Sequence, residues 1–167
     1  MDVKRENARR KVSVLEPFLD GMHTVLDFGC GDLQMAKELR ACNKKLSITG
    51  VDVVDFGVRP KGISFRQFDG KTIPFTDKAF DAAIVYHVFH HTNDPAAVLG
   101  EVSRVAKKRV LFVEPVARGW WDTPGMMAAD WLFNAWKGER IPMAYQFHSR
   151  DWWEREIKAR GMKITTI

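Results

Sequence analysis

The stretch that most constrains this chain is residues 24–33, which reads TVLDFGCGDL. A short run of β-branched and apolar residues ends in an acid and two glycines one residue apart, and a helical pattern follows Asp32. A strand that turns into a helix through glycine leaves backbone N–H groups exposed at the strand's carboxyl end. In an open parallel sheet, ligands bind at that end of the strands. The stretch therefore predicts an α/β sheet with a ligand site at this turn.

The residues around the turn disfavour a phosphate ligand. A Walker loop requires a Lys-Ser or Lys-Thr pair after its second glycine, and this chain has none there. A dinucleotide fingerprint requires a third glycine at the position that Gln34 occupies. Asp27 and Asp32 flank the turn. Helix N-terminal amides carry only about half a positive charge. Because two carboxylates outweigh that charge, the turn favours a ligand with a cationic group and ribose hydroxyls.

Acids also end the next two predicted strands. LSITGVD (residues 46–52) ends in Asp52, at the spacing where a carboxylate accepts from ribose hydroxyls, although NAD sites use an acid there too. ISFRQF (residues 63–68) is followed by Asp69 and Gly70. Strand-ending Asp residues also cap turns and helices. Four acids in this arrangement, in a chain of formal net charge +5, favour a cationic nucleoside.

The ordered series VLDFGCG, GVD, FDG and IPFTDKAFDAAIVYHVFHHTNDPAAVLGEVSRV resembles the class I S-adenosylmethionine-dependent methyltransferases, most closely the branch that acts on small molecules. The resemblance implies S-adenosylmethionine as cofactor and S-adenosylhomocysteine as product. It implies that the Asp27 turn lines the methionine moiety, that Asp52 binds the ribose and that Asp69 faces adenine. The cofactor-binding residues that it implies are Asp27, Gly29, Cys30, Gly31, Asp52, Val53, Asp69, Gly70, Tyr86 and His87.

Two departures from the family pattern carry expectations of their own. Leu33 stands where the family has the third glycine of the turn, which we expect to narrow the backbone approach on that side. The AKKR sequence at residues 106–109 replaces the usual Pro-Gly-Gly before the fifth strand, which predicts a tighter connection.

The fold that we expect is a single domain over residues 1–167. It is a Rossmann-like, doubly wound, mostly parallel sheet with helices on both faces, and residues 115–148 are a substrate-lid insertion. The predicted helices cover Val3–Leu19, Pro95 to about Ala106, and a segment capped by Ser149 that ends near Arg160; the predicted later strands are Ala79–Tyr86, Arg109–Val113 and Met162–Ile167. The family's final antiparallel strand is missing, so we expect an exposed edge beside the fifth strand or a homodimer that covers it.

Composition narrows the class of protein further. The chain has 167 residues, of which 46% are hydrophobic, and no run approaches the roughly 20 apolar residues of a membrane span. The N-terminus has no apolar signal region. The two cysteines, Cys30 and Cys42, lack metal-ligand spacing, so we expect reduced thiols in a cytoplasmic protein and no metal site. The basic cluster at residues 4–11 is interpreted as a solvated helix face rather than a nucleic-acid site.

His87 and Glu114 are the candidate catalytic residues. His87 follows the fourth strand, in a cluster with His90 and His91, and Glu114 follows the fifth. Either is a credible general base, but a base is needed only if the acceptor is protonated at working pH. All six tryptophans lie between Trp120 and Trp153, which suits a small, hydrophobic or aromatic acceptor. The equally weighted alternative is that these tryptophans pack as an ordinary helix, whose buried stripe would be Trp131, Leu132, Ala135 and Trp136.

Other functions stay open at this point. The alternative from another class is a non-catalytic cofactor-binding or scaffold protein that retains the methyltransferase fold, which Leu33 and the missing strand favour. A nicotinamide-dependent oxidoreductase is disfavoured by Asp32 and Gln34. A nucleic-acid methyltransferase that modifies amino groups is disfavoured because residues 86–89 read YHVF, where that class carries an Asn-Pro-Pro-Tyr type of sequence.

Overall fold

The computed structural model describes residues 3–119, 121–137 and 145–165. Within them, five strands form one sheet: β1 (Thr24–Phe28), β2 (Ser47–Asp52), β3 (Ile63–Gln67), β4 (Phe80–Tyr86) and β5 (Ala106–Val113). The order is β3-β2-β1-β4-β5, and all neighbouring strands are parallel. The carboxyl ends of the strands therefore share one edge of the sheet. The prediction of a Rossmann-like α/β fold is confirmed.

The helices of the described ranges are α1 (Val3–Leu15), α2 (Gln34–Cys42), α3 (Pro95–Val105), α4 (Asp122–Lys137) and α5 (Arg150–Ala159). Two predicted helix starts are confirmed by side chains that accept backbone hydrogen bonds. Asp94 accepts from the N–H of Ala97 at 2.9 Å, and Ser149 accepts from the N–H of Trp152 at 3.3 Å. None of the helices in the described ranges is both long and apolar enough to pass through a bilayer.

Two boundaries differ from the prediction by three residues or more. The first helix ends at Leu15, and residues 16–19 continue as a 3-10 turn, because Pro17 has no N–H to extend the α-helical ladder. β5 begins at Ala106, directly after α3, so residues 106–109 are strand rather than a connection. Lys108 is held 2.9 Å from the carboxylate of Asp81 on β4, which helps to extend the strand in this direction.

The predicted sixth strand over Met162–Ile167 is wrong for the residues that the structure describes, because residues 162–165 form no strand. Gly161 ends α5 in the left-handed conformation, with φ at 68°, and the N–H of Met162 donates to the carbonyl of Ile157 at 3.2 Å. A short β-prone run becomes a strand only where a neighbour supplies hydrogen bonds. β5 lies at one end of the strand order. The homodimer stays a prediction.

The chain forms two compact units. The first is Met1–Tyr86 with Glu101–Val113, and the second is His87–Gly100 with Glu114–Ile167. The first unit contains the sheet, α1 and α2. Its hydrophobic core is formed by buried residues of these two helices, of the segments next to them and of strands β1 to β4, among them Val12, Leu15, Leu19, Val25, Leu33, Ala36, Leu39, Ile48, Ala82 and Ile84. The single domain with a lid at residues 115–148 stays a prediction. Residues 120 and 138–144 of that segment lie outside the described part.

Candidate functional site

The turn after β1 is fastened to the end of β2. The carboxylate of Asp52 accepts hydrogen bonds from the N–H of Gly31 at 2.8 Å and from the N–H of Val54 at 3.0 Å. The N–H groups of Gly29 and Cys30 donate to the carbonyl of Val51 at 2.8 and 3.2 Å. Because a carboxylate oxygen accepts more than one hydrogen bond, Asp52 holds the turn and still has capacity for hydroxyl groups.

Both glycines of the turn have a conformation that favours glycine. Gly29 has φ at 68° and Gly31 has φ at 52°. A Cβ atom at Gly31 would meet no atom within 4 Å, so the position needs glycine for its backbone angle and not for lack of space. The turn therefore presents bare backbone toward open space, as the sequence predicts.

Asp27 is a buried acid at the centre of the sheet edge. The residue is 2% exposed, and among the described residues neither carboxylate oxygen has a hydrogen-bond partner. Burial raises the pKa of Asp27 to about 7, the charge of Lys11 opposes that rise, and the charge of Asp52 adds to it. A buried carboxylate without a partner is costly. The position therefore suits a ligand that brings a positively charged donor.

A cation from α1 lies at the end of β4. The ammonium nitrogen of Lys11 is 4.5 Å from the centre of the Tyr86 ring, and burial raises the pKa of the Tyr86 hydroxyl. This geometry is a cation–π contact. Lys11 is half-buried, whereas Arg9 and Arg10 before it are exposed. The sequence analysis missed this role, because the contact joins α1 to the end of β4, far along the chain.

Most side chains of the basic cluster of α1 are exposed to solvent, as the sequence predicts, and several of them also form ion pairs. Arg5 and Arg9 each donate to a different oxygen of Glu38 on α2, at 2.8 and 3.1 Å. Burial raises the pKa of Glu38, but the hydrogen bonds from the two arginines outweigh it and leave the pKa below its usual value. Lys4 forms an ion pair with Asp32 at 3.3 Å. The exposed face therefore has a second role, because its ion pairs connect α1 to α2 and to the turn.

The third predicted acid has a local role. One oxygen of Asp69 accepts from the N–H groups of Lys71 and Thr72 at 2.8 and 3.0 Å, and these bonds lower the pKa of Asp69. Gly70 has φ at 79°, and a Cβ atom there would lie 3.2 Å from a methyl carbon of Val53. The loops after β2 and β3 therefore touch at Val53 and Gly70, while Asp69 is exposed and shapes its own turn.

In the second unit, Glu114 organises a 3-10 turn over residues 89–91. One oxygen accepts from the N–H groups of Val88 and Phe89 at 2.6 and 2.8 Å, and the other lies 2.6 Å from Nδ1 of His90. The side chains of Glu114 and His90 are 2% and 4% exposed. His87, by contrast, is exposed and adopts a left-handed φ of 55°. The structure thus places the two candidate bases in different surroundings.

Aromatic rings surround this turn. His90 stacks on Phe147 at 5.1 Å between ring centres, and His148 stacks on Trp152 at 3.6 Å. Burial lowers the pKa of His148. Trp131 and Leu132 on α4 are 57% and 64% exposed, so they do not form the packed helical stripe that was the alternative interpretation. The side chains at residues 133–137 lie outside the described part.

Comparison with known proteins decides the family. A family model described as a methyltransferase domain matches residues 2–167. The chain belongs to this methyltransferase family. Its resemblance to the class I S-adenosylmethionine-dependent methyltransferases is confirmed, and S-adenosylmethionine is the cofactor.

The methyltransferase domain has similar sequences and structures. It is 31% identical over 107 residues to a fatty-acid O-methyltransferase of Mycolicibacterium smegmatis, and this match covers 60% of the chain but only 39% of that protein. A SAM-dependent methyltransferase from Aquifex aeolicus has a TM-score of 0.68 at 20% identity, with 99% of this chain and 86% of that one covered.

A further structural neighbour of the methyltransferase domain is a methyltransferase in complex with the Haloferax volcanii Trm112 methyltransferase activator. Its TM-score is 0.68 at 18% identity, and the match covers 99% of this chain and 75% of that chain. At these identities, the structural likeness shows a shared fold.

The residues of the methyltransferase domain fit the cofactor. The carboxylate of Asp27, which is buried and has no hydrogen-bond partner within the described ranges, suits the ammonium group of the methionine moiety, and Asp52 can accept from ribose hydroxyls. Leu33 does not crowd the turn as expected, because its side chain is 1% exposed within the core. The structure brings the turn of residues 29–31 to Asp52 and brings Val53 to Gly70. Sequence analysis missed the roles of Lys11 and Glu38.

Proposed function

We propose that this methyltransferase domain transfers a methyl group from S-adenosylmethionine to a small, hydrophobic or aromatic acceptor. The observation that carries the proposal is the buried Asp27 carboxylate, which has no partner among the described residues beside a turn whose glycines are left-handed. A phosphorylated ligand would meet repulsion there, whereas a cationic nucleoside gains an ion pair. The same acids disfavour a nicotinamide dinucleotide, whose pyrophosphate would lie on this turn.

The chain's own task in this reaction is positioning. When bound, the cofactor supplies a methyl group that is already activated by its sulfonium sulfur. Asp52 and the backbone of Gly31 hold the nucleoside, Asp27 pairs with the amine, and the ring of Tyr86 favours a neighbouring cation. Alignment of an acceptor atom with the bond that breaks can lower the barrier by about 7–11 kcal/mol. In-line transfer therefore needs little further chemistry from the protein.

The proposed acceptor is apolar. The second unit presents the large exposed side chains Trp121, Trp131 and Leu132, together with the stack of Phe147 on His90. The similarity to a fatty-acid O-methyltransferase supports an acceptor with a hydrocarbon body and an oxygen nucleophile. A carboxylate acceptor is already ionised at neutral pH and needs no base.

For an acceptor that is an alcohol or a phenol, we propose His87 as the general base. Its side chain is exposed, and it directly follows Tyr86, the last residue of β4. Glu114 is proposed as a positioning residue. Both of its oxygens are engaged by the turn that follows His87, so the carboxylate acts by fixing the backbone of that turn.

The test is calorimetric titration with S-adenosylmethionine, followed by measurement of methyl uptake by fatty acids, phenols and amines. Asp52→Ala removes two backbone hydrogen bonds and the ribose acceptor, so we expect cofactor binding to weaken by roughly a hundredfold. The matched control is Asp55→Ala, three residues later, where the carboxylate is exposed and pairs with Arg59. Binding without methyl uptake by any acceptor would favour the scaffold alternative, and no binding would refute the proposal.

A further inference from the structure

Leu33 has an unusual backbone for its residue type. It has φ at 61° and ψ at 19°, in the left-handed region that favours glycine, and it directly precedes α2. The N–H of Leu33 donates to the carbonyl of Cys30 at 3.0 Å, and the carbonyl of Leu33 accepts from the backbone N–H of Lys37 at 2.9 Å. A leucine in this conformation is strained, so the surrounding packing must hold it in place. The family resemblance places a glycine at this position.

Gly50 is a glycine for the opposite reason. It lies inside β2, in register with Asp27 on β1 and Phe65 on β3. A Cβ atom at Gly50 would lie 2.5 Å from a methyl carbon of Leu33 and 2.7 Å from the sulfur of Cys30. Glycine inside a strand often marks a site where another group approaches closely. Here the approaching groups are the two buried side chains of the cofactor turn.

We propose that Leu33 and Gly50 form a positioning pair for cofactor binding. The leucine side chain fills the space above Gly50 and thereby fixes residues 30–33, although its own backbone is strained. Gly50, which belongs to the GVD motif, makes room on the neighbouring strand for the leucine. The turn keeps the shape that brings the N–H of Gly31 to Asp52 at 2.8 Å.

This pair explains why Leu33 is compatible with a functional turn. The residue at position 33 needs a left-handed backbone, which glycine adopts without strain and leucine adopts only when its side chain is locked. Leu33 is 1% exposed and Cys30 is 8% exposed, so neither has free space to yield. The inference concerns the cofactor turn alone, so it does not depend on the proposed acceptor.

The experiment is a double-mutant cycle of Gly50→Ala and Leu33→Ala, read by calorimetric titration with S-adenosylmethionine and S-adenosylhomocysteine. Gly50→Ala displaces Leu33 and Cys30, so we expect both ligands to bind roughly tenfold to a hundredfold more weakly. With Leu33→Ala present, Cys30 can shift into the vacated space. The same Gly50→Ala change should then weaken binding by less than about threefold.

The control is Gly100→Ala on α3, where a Cβ atom would make only an ordinary contact, 3.7 Å from Arg160. This variant should bind both ligands as the parent chain does. Thermal unfolding without ligand separates lost binding from lost folding. If the Gly50→Ala variant does not fold, the proposal requires that the double variant folds and binds both ligands with the affinity of the Leu33→Ala variant. The proposal would be overturned if Gly50→Ala weakened ligand binding equally in the parent chain and in the Leu33→Ala variant. It would also be overturned if Gly50→Ala did not weaken binding in the parent chain.

Discussion

The cofactor turn of the first unit and the His90–Glu114 cluster of the second are built on different principles. The turn depends on backbone conformation and on acids at strand ends, with Gly29 and Gly31 left-handed and Asp52 accepting from the backbone. The cluster depends on buried side chains that satisfy one another, with Glu114 taking hydrogen bonds from a turn and from His90. The cofactor turn therefore suits a ligand, whereas the polar groups of Glu114 are already satisfied by hydrogen bonds within its own unit.

The two buried acids show this contrast most directly. Asp27 has no hydrogen-bond partner among the described residues, whereas Glu114 has three. A buried carboxylate with partners stabilises its own unit, and one without partners destabilises it until a ligand arrives. The difference indicates which acid serves folding and which serves binding, and substitutions at each can test it.

The largest expected effect is on stability, from Glu114→Ala. The variant leaves two backbone N–H groups and the ring of His90 without their buried acceptor, so we expect the free energy of unfolding to fall by about 3 kcal/mol. Chemical denaturation measures this. Glu114→Gln keeps an oxygen acceptor and should lose less. A cofactor dissociation constant that rises in parallel with the loss of stability would show that the two regions are coupled.

A smaller effect is expected for Asp27→Asn, on cofactor affinity and its pH dependence. The raised pKa of about 7 means that the folded chain keeps a proton that the unfolded chain releases near pH 4. Stability therefore falls as pH rises from about 4 to about 7. Cofactor affinity rises over the upper part of this range, because the ammonium group pairs with the ionised acid. The variant should lose both trends and bind about tenfold more weakly at pH 8.

Calorimetry across pH 5–9 and thermal unfolding across pH 4–8 check these trends. Asp55→Asn provides the control, because that carboxylate is exposed and pairs with Arg59. An unchanged pH profile in Asp27→Asn would assign the titration to another group.

The smallest effect is expected for Lys11→Met. The charge of Lys11 lowers the pKa of Asp27, so its removal should shift the pH midpoint of cofactor binding upward. Arg10→Met is the matched control, because Arg10 is exposed and pairs at 3.6 Å with Glu6. A downward shift with Lys11→Met would contradict the assignment of Lys11 to the surroundings of Asp27.

Much of the cofactor side could be predicted from sequence. The five strands, the turn at residues 29–31 and the position of Asp52 at the end of β2 follow from local patterns, because short sequence segments determine strand ends and glycine turns. The role of Asp69 is harder to predict from sequence, because an acid at the end of a strand can face a ligand or cap its own turn. The structure shows that one oxygen of Asp69 accepts from the backbone N–H groups of Lys71 and Thr72, and its role toward adenine stays a prediction.

The features that sequence analysis missed depend on contacts between distant segments. The two arginines of α1 meet Glu38 only after α1 and α2 pack, and Leu33 reaches Gly50 only in the finished sheet. The predicted strand over Met162–Ile167 is wrong for residues 162–165, because a short β-prone run forms a strand only where a neighbouring strand supplies hydrogen bonds. The catalytic assignments of His87 and Glu114 stay predictions, because they depend on an acceptor that the sequence does not identify.

The fork of Arg5 and Arg9 on Glu38 has a consequence for handling the protein. Dissolved salt shortens the range of such attractions to roughly 3 Å at 1 M, while the apolar contacts of Val12 and Leu15 are untouched or strengthened. Concentrated buffers would therefore loosen the polar start of the first helix and leave its later turns docked. The docking of the start of α1 on α2 therefore depends on ionic strength. A buffer of low salt concentration preserves the ion pairs of Arg5 and Arg9 with Glu38.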